Sequence, residues 1–161
     1  MSKIKDLLND NKSILVFDVD GVLALLEFGK RRHYALDDNS WEKANQEGIN
    51  FYNEDKVSKK MQKFLNKKDK ARIYVITTIG GNNEGLFKQE FVNKYYSVLK
   101  DHVYFVDKNR DKTNILIKIR NMHKDVDDEN IIMIDDTVEI LNDVMEKTNF
   151  STAHISSFLD I

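Results

Sequence analysis

Asp18 and Asp20 stand one residue apart directly after a short apolar run, and Gly21 lets the chain turn sharply behind them. A second acidic pair, Asp135-Asp136, follows another apolar run, and Thr77-Thr78 follows a third. Beyond the threonines lies a loop, Ile79-Gly80-Gly81-Asn82-Asn83, and Lys112 stands 23 positions before Asp135. Singly, each feature has a bland reading. An Asp-x-Asp-Gly is ordinarily a turn, paired threonines a turn or helix cap, an acidic pair a helix N-terminus favoured by the dipole, and a lone lysine a solvated helix residue. An EF-hand calcium loop is excluded, because its third acidic position and distal glutamate are missing.

Jointly the same residues could carry out phosphoryl transfer. Carboxylates converging at one place repel one another unless a cation lies among them, and hard oxygen ligands favour Mg²⁺. The candidate ligands are Asp18, Asp20, Asp135 and Asp136. A carboxylate can attack phosphorus and form an aspartyl-phosphate that water later hydrolyses. Such a reaction needs the phosphoryl oxygens neutralised, which suits Mg²⁺, a lysine such as Lys112, a hydroxyl from Thr77 or Thr78, and loop N–H groups such as that of Gly80. Alternation along a strand argues that only one of the two threonines enters the site, without saying which.

The elements that must position these residues are legible as alternating patterns. Apolar runs at 14–17, 73–76, 103–106 and 131–134 have the length of strands buried on both faces, with a weaker candidate at 153–155. Between them, apolar residues repeat at helical spacing: Val57, Met61, Phe64 and Leu65; Phe87, Phe91, Tyr95 and Leu99; Ile115, Leu116, Ile119 and Met122; Val138, Leu141, Val144 and Met145. Strands alternating with helices imply an α/β domain of Rossmann-like type, with a mostly parallel sheet flanked by helices. In such sheets ligands bind beyond the carboxyl ends of the strands, where the chemically unusual residues fall.

One stretch, 24–55, breaks the alternation and shows no clear period. It holds Lys30, Arg31, Arg32 and His33 among the aromatics Phe28, Tyr34, Trp41, Phe51 and Tyr52. Placed directly after the first strand, it reads as a flap over the site. The 161 residues otherwise suit one domain, with 41% hydrophobic and 32% charged residues, as in a soluble globular protein. A net charge of −2 gives no general attraction to nucleic acid or membrane, and the absence of cysteine removes disulfide, thiol and thiolate-metal chemistry. Residues 1–11 are charged and nothing approaches membrane-spanning length, so a cytoplasmic protein without a membrane partner is expected.

In order and spacing, the pieces resemble the four motifs of the haloacid dehalogenase superfamily, from Ile14 to about Met145. Ile14-Leu15-Val16-Phe17-Asp18-Val19-Asp20-Gly21 is similar to the first motif, and Ile73-Tyr74-Val75-Ile76-Thr77 to the second. Lys112 lies where the third motif's lysine is expected, and Ile131-Ile132-Met133-Ile134-Asp135-Asp136 is similar to the fourth. Ile134 stands where many members have glycine, as in nucleotidase-like branches. The resemblance implies Asp18 as nucleophile and metal ligand, and Asp20 as the group that protonates the leaving oxygen and then activates water. It further implies that the Asp20 carbonyl faces Mg²⁺, that Asp135 and Asp136 complete the metal site, that Thr77 bonds the phosphoryl group, and that Lys112 compensates charge.

A stretch of 24–55 is too short for the family's common helical cap, so the site should be open, suiting a large substrate or closure by a partner subunit. Arrangement and length resemble the phosphatase part of polynucleotide kinase-phosphatases, and the extended first motif resembles deoxyribonucleotidases. A nucleotide or nucleic-acid terminal phosphate is therefore the expected substrate, with Lys30, Arg31 and Arg32 on phosphates and Trp41, Tyr34 or Tyr52 stacking on a base. The bland alternative makes the basic run a solvated loop and the aromatics a small flap core. A small-metabolite phosphatase, a phosphotransferase, and a catalytically silent phosphate- or protein-binding module remain as alternatives. A response-regulator receiver does not fit, because its acidic pair follows the first strand and its phosphoacceptor the third.

Overall fold

A computed structural model of the protein describes residues 3–25 and 38–159, except for the side chains of 38–41. Its centre is a parallel sheet in the order β3-β2-β1-β4-β5, formed by β1 (Ile14–Phe17), β2 (Ile73–Thr78), β3 (Val103–Val106), β4 (Ile131–Asp135) and β5 (Ser151–His154). The four expected strong strands are present, and the weak candidate at 153–155 is a strand shifted toward the N-terminus. β1, β2 and β4 are buried along nearly their whole length, as continuous Ile/Val/Leu/Phe runs require when helices cover both faces.

Strand alternation divides the core in two. Leu15, Phe17, Ile73, Val75, Ile132 and Ile134 face α1 (Lys3–Asn9), α3 (Lys59–Leu65) and α4 (Asn82–Tyr96), meeting Leu8, Leu65, Phe91 and Val92. Ile14, Val16, Tyr74, Ile76, Ile131 and Met133 face α5 (Lys112–Met122) and α6 (Val138–Lys147), meeting Leu116, Ile119, Leu141 and Val144. The chain leaves β1 toward β2 and β3, then returns to the other side of β1 for β4. That reversal opens a crevice beyond the carboxyl ends of β1 and its neighbours, the usual ligand position in open parallel sheets.

Several helical faces differ from the sequence patterns. α1 was not expected, and the aperiodic 24–55 stretch contains a further helix, α2 (Asp38–Gln46). Leu99 lies beyond α4 and is exposed, as are Met122, Val138 and Met145, whereas Ile140 joins Leu141 and Val144 in the core. In α4 the buried face runs through Glu84, Lys88, Phe91, Val92 and Tyr96, leaving Phe87 and Tyr95 only partly covered. The first turns of α4 pack against the polar strand ends, so a charged pair occupies positions that an apolar pattern would assign to hydrophobic residues. No described helix is long and apolar enough to cross a membrane.

Candidate active site

Parity and register bring the acidic residues together. Asp18 continues β1, its N–H donating to the Ile134 carbonyl at 3.0 Å, so it stands beside Asp135. Counting alternately along each strand places both on the α5 side of the sheet. Lys112, the first residue of α5, reaches across that face with its ammonium 2.9 Å from Asp18 Oδ1 and 2.9 Å from Asp135 Oδ2. The turn after β1 is fastened by the Val19 carbonyl, which accepts from the N–H groups of Val22, Leu23 and Ala24. Gly21 has a positive φ of 75° within that turn, and a Cβ there would come within 2.2 Å of Asp136 Oδ2. Only glycine satisfies both demands.

The two threonines diverge as alternation requires. Thr77 faces the α4 side, with its hydroxyl 3.3 Å from the buried ammonium of Lys88, while the Thr78 hydroxyl donates to Asn109 Oδ1 just before α5. Both line the same cavity of about 250 Å³, together with Asp18, Asp20, Asn109, Lys112, Asp136, Thr137 and Ile140. The expectation that one threonine alone enters the site is thereby corrected. They stand at the mouth of the sheet, where side chains from both faces border one opening.

Asp18, Asp135 and Asp136 offer carboxylate oxygens lying within 4.8 Å of one another. Asp18 Oδ1 is fully buried, with the Lys112 ammonium at 2.9 Å against it. Burial raises the Asp18 carboxyl, Lys112 opposes it, Asp135 and Asp20 add to it, and the result is a pKa pushed up to about 6. Burial, then Asp135, raises Asp136 also. Burial pulls the Lys112 ammonium down, but Asp18 and Asp135 outweigh it and hold it above its ordinary value, hence charged. Two of the three carboxylates, Asp18 and Asp135, thus share one ammonium, and Asp136 stands beside them without it. Three carboxylates this close, with one ammonium against two of them, form a hard-oxygen donor set that a divalent cation such as Mg²⁺ fits.

Asp135 also fulfils part of its bland role, since its Oδ1 accepts from the Thr137 N–H at 2.9 Å ahead of α6. The Asp20 side chain belongs to a different set of contacts from this trio. Its Oδ2 lies 2.7 Å from Lys88 Nζ, and its Oδ1 accepts from the Tyr52 hydroxyl at 2.9 Å. Burial, with the charges of Asp20 and Glu84 behind it, raises the Tyr52 hydroxyl far above its ordinary value, so it is a neutral donor. The Gly80 N–H, expected to face phosphate, donates to Glu84 Oε2 at 2.8 Å, and Gly80 is not among the residues lining the cavity. Tyr52 is likewise buried against Phe91 and is not free to stack on a base. Lys30, Arg31, Arg32, His33, Phe28 and Tyr34, and the side chain of Trp41, lie outside the described residues.

Sequence reasoning missed Lys88, Glu84 and His154. Glu84 and Lys88 form an i,i+4 pair of the kind normally read as a solvated helix face. The available signal was their phase, since Phe91 and Val92 continue the same stripe. His154 Nδ1 accepts from the Ser156 N–H at 3.2 Å, which leaves Nε2 to donate to the Asp136 carbonyl at 3.1 Å and steady the acidic pair.

No family model and no curated protein matches the chain. Among solved structures, that of DsGPDH of Dunaliella salina is similar over 94% of this chain, with a TM-score of 0.60 and 13% sequence identity. The chain spans 25% of the length of that protein. A likeness at this identity establishes the α/β, Rossmann-like architecture and nothing about chemistry.

Proposed function

We propose that the protein is a Mg²⁺-dependent phosphomonoester hydrolase that works through an aspartyl-phosphate on Asp18, as the resemblance to the haloacid dehalogenase superfamily implies. The observation that carries this reading is the meeting of Asp18, Asp20, Thr77 and Lys112 around one cavity at the strand ends, with Asp136 in its wall and Asp135 behind Lys112. Asp18, Asp135 and Asp136 would hold the cation, which when bound supplies positive charge to offset the phosphoryl oxygens.

A carboxylate oxygen of Asp18 attacks phosphorus, the ester P–O bond breaks, and the leaving oxygen takes the bonding pair and a proton from Asp20. Water then attacks the aspartyl-phosphate, gives a proton to Asp20, and releases phosphate with Asp18 restored. Lys112 keeps Asp18 oriented and partly neutralised, while Thr77 and Thr78 offer hydroxyls to the phosphoryl oxygens. The narrower reading, a nucleotide or nucleic-acid terminal phosphate, rests on the basic run Lys30-Arg31-Arg32.

The test is a panel of phosphomonoesters assayed with Mg²⁺ and with chelator. Turnover that requires Mg²⁺, disappears in Asp18→Asn and drops about 10²–10⁴-fold in Asp20→Asn is the expected result. Full activity in Asp18→Asn rules the mechanism out, and a pure protein inert on the whole panel favours the silent binding module.

A further inference from the structure

Asp20 must present its carboxyl group to the leaving oxygen and then to water, yet it lies beyond the end of β1 on a turn, where no strand pairing fixes its side chain. Two residues, Lys88 and Tyr52, do so instead. Lys88 Nζ is buried and makes three short contacts, 2.7 Å to Asp20 Oδ2, 2.7 Å to Glu84 Oε1 and 2.6 Å to the Thr78 carbonyl. An ammonium has three protons, so these short contacts engage all of them, and the Thr77 hydroxyl accepts a longer, shared bond at 3.3 Å. Glu84 Oε2 in turn accepts from Asn45 Nδ2 at 2.9 Å and from the Gly80 N–H. At the other end the Tyr52 hydroxyl reaches Asp20 Oδ1. Asn45 and Tyr52 both belong to the 24–55 insertion, which therefore grips the chain of contacts at its two ends.

From this we infer that Lys88 and Tyr52 are positioning residues that hold the Asp20 carboxyl group at the reaction cavity, so that the insertion after β1 serves proton transfer as well as substrate choice. The inference rests on the phosphatase reading above. Each carboxylate oxygen carries two lone pairs, so one donor on each leaves a place for the travelling proton. Tyr52 and Lys88 fix where that place points and take no part in the bond changes at phosphorus.

The test compares an alkyl phosphate, whose leaving oxygen needs a proton, with p-nitrophenyl phosphate, whose leaving group departs as an anion. The value read is kcat/KM in Mg²⁺, because it reports transfer to Asp18 and excludes the later hydrolysis step. Tyr52→Phe keeps the ring in the core, and Lys88→Met combined with Glu84→Gln avoids stranding a buried charge. Both are expected to lower kcat/KM for the alkyl ester at least tenfold and for the aryl ester less than threefold. Tyr52→Phe added to Asp20→Asn is expected to cost nothing further, since there is then no acid to position. Equal losses on the two esters, no loss on either, or a full additional loss in the Asp20→Asn background overturns the inference and leaves the phosphatase reading standing. A wild-type protein that turns over neither ester overturns both. Should the double variant fail to fold, Tyr52→Phe decides alone.

Discussion

Asp18 is held in an environment that disfavours its own charge, and this has a consequence for stability. Its carboxyl titrates near 6 in the folded protein against an ordinary 3.8, with burial the largest cause. Between about pH 4 and 6 the folded chain therefore binds more protons than the unfolded one, and stability falls as pH rises through that window. At neutral pH the remaining penalty is on the order of 1–3 kcal/mol. Asp18→Asn removes it, so the metal-free variant should unfold at higher urea than wild type at pH 7, with a flatter response between pH 4 and 6. Urea midpoints in chelator at pH 5 and 7 check this. A variant less stable than wild type at pH 7 would mean that its ion pair with Lys112 outweighs its burial.

At the scale of elements, α4 ends on Ser97, whose φ of 57° is left-handed, with the N–H groups of Ser97 and Val98 closing onto the carbonyls of Asn93 and Val92. A side chain is strained in this conformation and glycine is not. Ser97→Gly should raise stability by about 0.5–1 kcal/mol, the left-handed strain relieved less the entropy glycine costs, read as a higher melting temperature with activity unchanged. The insertion supplies a second expectation. Tyr52 and Asn45 are committed to the Asp20 and Glu84 contacts, so the proposed nucleotide reading assigns substrate recognition by this element to its basic run. Replacing Lys30, Arg31 and Arg32 together with Ala should raise KM for nucleotides or oligonucleotide ends, weaken their salt dependence, and spare kcat for a small ester. Identical effects on nucleotide and small ester would shift the substrate assignment to a small sugar phosphate or another metabolite.

For the whole molecule, the crevice joins β1, β2 and β4 with the N-termini of α5 and α6, so a cation held there stabilises the folded state over the unfolded one. Mg²⁺ should raise the melting temperature by roughly 2–4 °C per kcal/mol of binding in a chain of this size. Asp135→Asn should lose most of that rise, because Asp135 stands with Asp18 and Asp136 in the only group of three such ligands among the described residues. Differential scanning with and without Mg²⁺ measures it. An equal shift in both proteins would locate the cation elsewhere.

By itself the sequence determined the strands, because residues buried on both sheet faces must be apolar without interruption, and it determined the residue following each strand, because polar groups fall where the run stops. Asp18, Asp135 and Lys112 could be paired on paper for that reason. Tertiary structure alone decided the rest. The helical faces of α4 and α6 turned away from their apolar periods, since what a helix buries depends on what it packs against, and the first turns of α4 meet polar strand ends. The same contact converted Glu84 and Lys88 from an ordinary surface pair into buried supports for Asp20. Helix α2 escaped notice because its residues are mostly polar, and the role of Tyr52 escaped because it acts across 32 positions of chain on a partner that only folding brings near.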